Sequence, residues 1–93
     1  MKDRQRRIRL DRDAAVAIAA QAVAFLAADD DRLGRFLALT GLSPTDLKHG
    51  LGQPAFLGAV LDHLLSDEAL LLAFAGAVEI APDLPAAARR LLP

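Results

Sequence analysis

The sequence contains no cysteine, no tryptophan and no tyrosine. Without cysteine there is no disulfide framework and no thiolate metal site, a pattern that suits a reducing compartment. The missing Trp and Tyr rings are ones that small-molecule and nucleobase sites often use, so their absence counts against both. Residues that favour strands are also scarce: four Phe, four Val and three Ile. Gly50, Gly52 and Gly58 follow no strand-like run, so they form no phosphate-cradling loop. No period of about 20–50 residues recurs, which excludes a repeat array.

What the chain does have is 20 Ala and 18 Leu in 93 residues. Alanine is the best helix former and adds little buried area, so the apolar share of 54% argues first for helix. The reading is all-α. Ninety-three residues make one domain, too small for a deep cleft walled by two domains.

Charge is unevenly placed. Residues 1–13 hold Lys2, Arg4, Arg6, Arg7, Arg9 and Arg12 against Asp3, Asp11 and Asp13, a local charge of +3. Residues 14–93 carry −4. Residues 1–12 are expected to be a flexible basic arm, and residues 13–93 a single helical domain. A secretory or twin-arginine leader at Arg6-Arg7 is disfavoured. Asp11 and Asp13 stand at its boundary, Gln21 interrupts the apolar run, and cleavage would remove the first helix.

Helix signals divide the rest. Asp11 or Asp13 can cap a first helix from about Asp13 to Ala28, with Ala15, Ile18, Ala19, Ala22, Phe25 and Leu26 on one face. Asp29-Asp30-Asp31 separates it from a second helix, about Asp31 to Thr40. A calcium loop counted from Asp29 would need Glu at its twelfth position, which is Thr40. Ser43, Pro44 and Asp46 form a capping-box start for a short third helix, Pro44 to Gly50. A fourth, Pro54 to Leu65, presents Leu57, Val60, Leu61 and Leu64 inward and Gly58 and Asp62 outward. A last helix covers about Leu84 to Leu92, with Leu84, Ala87, Ala88 and Leu91 facing in.

Between these lies the most apolar stretch, Ala69 to Ala81, in which Glu79 is the one charged residue. A helix apolar on every side is expected to be enclosed. At about 20 Å it is too short to cross a membrane core of about 30 Å. The expected architecture is therefore a compact irregular (orthogonal) bundle of five or six short helices around a buried central helix at about 67–81. Ser66 is expected to cap that helix and Pro82 to close it.

Residues with chemical potential are few. His49 and His63 sit fourteen apart, and neither has a helical partner at zinc spacing, so no metal site is expected. Ser43 and Ser66 serve better as caps than as nucleophiles, and Glu79 falls near a helix end within reach of water. No catalytic residue and no cofactor is assigned, and an enzyme is disfavoured. The stretch 36–51 resembles a helix-turn-helix corner, with Gly41 at the turn. Its second helix offers only Lys48 and His49 beside Asp46, short of the basic face a DNA reader shows.

Ala17-Ile18-Ala19, Phe25-Leu26-Ala27, Arg35-Phe36-Leu37, Thr40-Gly41-Leu42 and Phe56-Leu57-Gly58-Ala59-Val60-Leu61-Asp62 occur in that order, followed by Asp67-Glu68 and Phe74. In these the chain resembles a bacterial family catalogued as domain of unknown function 3572 (DUF3572), seen mainly in alphaproteobacteria, over roughly residues 13–92. The motifs are core and cap positions. The resemblance implies a small cytoplasmic all-helical protein and carries over no activity or site residue.

Two functions compete. The first is a cytoplasmic, non-catalytic protein-interaction module that binds an unidentified protein partner or a second copy as a homodimer. Its basis is that the stripes on the first and fourth helices look wider than one central helix can cover. The alternative is a nucleic-acid-binding protein using Lys2, Arg4, Arg6, Arg7, Arg9, Arg12 and Lys48.

Overall fold

The computed structural model describes residues 10–93, and the basic-arm reading of residues 1–9 lies outside them. Among the described residues six helices follow in order: α1 (Arg12–Ala27), α2 (Asp30–Thr40), α3 (Pro44–Gly50), α4 (Pro54–Leu65), α5 (Glu68–Val78) and α6 (Leu84–Arg89). They form an all-α bundle, as the composition requires.

The caps explain where most of these helices start. The Asp11 carboxylate accepts from the Ala14 amide at 2.8 Å, Asp29 from Arg32 at 3.0 Å and Asp67 from Leu70 at 3.1 Å. Each satisfies one of the amides that a helix start leaves without a partner. At α3 the box is reciprocal: the Asp46 amide donates to Ser43 Oγ, and the Ser43 amide donates to Asp46. That amide, then the Ser43 hydroxyl, holds the Asp46 carboxyl below the usual aspartate range. Gly41 ends α2 at φ +75°, a left-handed angle that a residue without Cβ adopts at no steric cost.

α1 and α4 make the centre. α1 packs on α4 and α6 most extensively and on α2 next, while α4 also packs on α6 and α5. Ala15, Ala19 and Ala22 are fully buried on α1, so neighbouring helices approach closely, and Ile18 and Leu26 fill the spaces between them. Leu57, Val60, Leu61 and Leu64 of α4 are buried, as their spacing predicts.

The expected central helix is not central. Along α5 only Phe74 and Ala75 are buried, and Leu72 is 49% exposed. The reason is side-chain size. The outer side of α5 carries Ala69, Gly76 and Ala77, which expose little apolar area, so leaving them wet costs little. Leu72 is the one large apolar side chain on that face, with the charged Glu68 four residues before it. The two-residue link Ser66–Asp67 also ties α5 to the end of α4 and leaves it at the edge of the bundle.

Other expectations need correction. Asp67, not Ser66, caps α5; Ser66 ends α4, its hydroxyl donating to the His63 carbonyl at 2.7 Å. α5 stops at Val78, short of Pro82, because Glu79 adopts φ +59° and its amide donates to the Ala75 carbonyl. It is the one non-glycine residue with positive φ among the described residues.

Gly58 is buried rather than wet: the Arg89 guanidinium lies on it, so a Cβ there would meet that group at 3.1 Å. Arg89 Nε donates to Asp62 at 2.7 Å, which raises the guanidinium pKa, and Nη1 donates to the Leu92 and Pro93 carbonyls. α6 ends at Arg89 and the chain turns, so Leu92 is buried and Leu91 is exposed, against the helical phase expected.

Glycine substitutions separate packing from propensity. A Cβ on Gly50 would fall on the Phe56 ring. Gly50→Ala is expected to destabilise by about 1–3 kcal/mol, since overlap exceeds the propensity gain. Gly76 has no atom within 4 Å of a new Cβ. Gly76→Ala is expected to stabilise by about 0.5–1 kcal/mol. Urea midpoints of the two variants against the parent check both signs.

Candidate functional site

An open groove of about 410 Å³ lies between α2 and the start of α5, lined by Arg32, Arg35, Asp67, Ala69, Leu70 and Ala73. Arg32 and Arg35 are three apart, so they share one face of α2. Leu39, 64% exposed, extends that face by another turn. Arg32 sits over the Phe25 ring at 4.5 Å and 3.9 Å from Asp29. Both contacts hold its guanidinium along the wall. Across the groove the α5 side is apolar, and Asp67 spends its carboxylate on the Leu70 amide. Beyond the rim the outer face of α5 continues through Ala69, Leu72 and Gly76. One wall is thus cationic and the other apolar, an arrangement suited to an amphipathic surface. Asp67 is the one carboxylate among its lining residues, and one of its oxygens is taken by the Leu70 amide.

Close to this groove lies His63, a core residue. It is 8% exposed, and its Nε2 has no hydrogen-bond partner. The ring stands edge-on to Phe36, centroids 5.0 Å apart and planes at 77°. Burial, then the Arg35 charge, holds its pKa below the ordinary 6.5, while Asp67 acts in the opposite sense. The sequence held a signal for this placement. His63 follows Val60 by three and precedes Leu64 by one, which puts it within the buried stripe of α4.

The nucleic-acid candidates are not brought together among the described residues. Lys2, Arg4, Arg6, Arg7 and Arg9 lie outside those residues. Arg12 is exposed at the first position of α1, and Lys48 is exposed in the last turn of α3, which packs on α4. The corner at Gly41 forms as its spacing predicts. However, α2 packs chiefly on α1 and α3 on α4, so each helix of the corner leans on a different support.

His49 is exposed on α3, remote in sequence from His63, and Glu79 is exposed at the end of α5. Among the described residues no group of three His, Asp or Glu could hold a metal ion. None of the described helices is long and apolar enough to cross a membrane.

The family model described as "Protein of unknown function (DUF3572)" matches residues 12–93. The chain belongs to this family. The match spans all six described helices. The family description names no activity. Neither the curated proteins nor the solved structures offered a match to this DUF3572 chain.

The outer face of α5 and its cap respond differently to substitution. Leu72→Gln, on an exposed side chain, is expected to change stability by less than about 0.5 kcal/mol. Asp67→Ala removes the α5 cap and is expected to cost about 1 kcal/mol. Thermal melts of both variants check the contrast.

Proposed function

We propose that this chain is a non-catalytic protein-interaction module of the cytoplasm, docking its partner on the outer face of α5 and the adjoining wall of α2. The observation that carries this reading is Leu72, a large apolar side chain 49% exposed on the most apolar helix of the chain. Ala69 and Gly76 flank it and let a partner backbone approach closely. Arg32 and Arg35 supply a polar border, so the surface has the apolar centre and charged rim common to protein interfaces. The face differs from the one expected. The stripes of α1 and α4 are covered by each other and by α6, and it is α5 that is left half uncovered.

The test pairs light scattering with capture of partners from a lysate, using the parent chain and Leu72→Glu. The parent should self-associate or retain a partner, and Leu72→Glu should lose that association while keeping its helical circular dichroism. A strictly monomeric parent that retains nothing, or a partner held equally by Leu72→Glu, overturns the reading. A labelled duplex offered at low salt separates it from nucleic-acid binding through the arginines, which would show a steep loss of affinity with salt.

A further inference from the structure

His63 carries an inference independent of the docking surface. α2 is anchored to the bundle by a single fully buried side chain, Phe36. The backbone of α2 packs chiefly on α1, whereas Phe36 reaches the rings of His63 and Phe56, both on α4. The junction of α2 with α4 is therefore an aromatic cluster, and one of its three rings can take up a proton.

A proton on that ring would be poorly placed. The imidazole is more than nine-tenths buried, and its Nε2 is closed off from water with nothing to accept a hydrogen bond. A buried donor without an acceptor is costly, and a buried cation more so. Among the described residues two charged groups act on the ring: Arg35 from α2 and Asp67 from the α4–α5 link. None from α1, α3, α5 or α6, which also pack on α4, is among the charges acting on it. Arg35 is the neighbour of Phe36, so its repulsion of an imidazolium acts directly between α2 and α4. Asp67 attracts the imidazolium, an effect smaller than burial and than the Arg35 charge.

We propose that His63 is an acid-sensitive latch: the neutral ring holds Phe36 in the core, and protonation releases α2 from α4 while α1, α4 and α6 stay packed. The direction follows from linkage. The native ring titrates below the ordinary 6.5, so on acidification the released state takes the proton first. The closed state is fully favoured above about pH 6.5 and loses its advantage as pH falls through 6.5 toward the native value. Carboxylates titrate near pH 4, so a range ending at pH 5.5 isolates the imidazoles.

The experiment follows the His49 and His63 ring protons and backbone amide exchange by NMR from pH 7.5 to 5.5. It uses the full chain, His63→Leu and Arg35→Gln. After correction for intrinsic exchange, protection of the Leu33–Leu37 amides should fall by more than about twofold in the parent, one proton capping the loss at about tenfold over this range, while α1 and α4 change by less than about twofold. His63→Leu should abolish the pH dependence in α2. Arg35→Gln, which leaves the core intact, should move the His63 midpoint up toward 6.5 and reduce the loss of protection. A His63 midpoint at or above 6.5 would overturn the proposal. So would the same loss in a folded His63→Leu, or joint loss of protection in α1, α2 and α4. If His63→Leu does not fold, the parent and Arg35→Gln decide on the same readings.

Discussion

The close approach of α1 to α4 and α6 is the constraint on which the rest of this bundle depends. It exists because α1 presents Ala15, Ala19 and Ala22 toward its neighbours, each fully buried. Small side chains bring helix axes together, and Leu57, Leu61 and Leu64 of α4 share one buried cluster with Ile18 and Leu26 of α1. A chain of this size encloses a limited volume. Once α1 and α4 fill it, the remaining helices must lie outside and bury one side each.

That hierarchy explains the unequal roles of α2, α3 and α5. α2 commits one buried ring, Phe36, and α3 commits Gly50 beneath the Phe56 ring. α5 commits Phe74, whose ring meets Phe25 edge-on at 5.5 Å. Each peripheral helix is thus held by an aromatic contact and a well-formed start. Their other faces are left to solvent, and the groove between α2 and α5 follows from that. Neither helix was drawn into the centre, so the arginines of one stand across from the alanines of the other.

The same economy places a titratable ring in the core. His63 occupies a stripe position that a leucine could fill, and its Nε2 forgoes a hydrogen bond there. Burial and the nearby Arg35 both favour the neutral ring. Polarity at that point separates this bundle from one held by aliphatic packing alone.

From the sequence alone came the helical class, most helix starts and the inward stripe of α4, together with the family. These depend on local chemistry: cap residues, alanine content, and spacings of three and four. Only the tertiary structure decided which helix is enclosed. The run at Ala69–Ala81 reads as apolar on all sides, yet alanine and glycine contribute so little area that one face tolerates water. Burial is settled by the competition among helices for a fixed interior volume. Longer α1, with its small buried face, and leucine-lined α4 take that interior. The groove and the sealed His63 ring are outcomes of that competition, because both arise where residues distant in sequence meet.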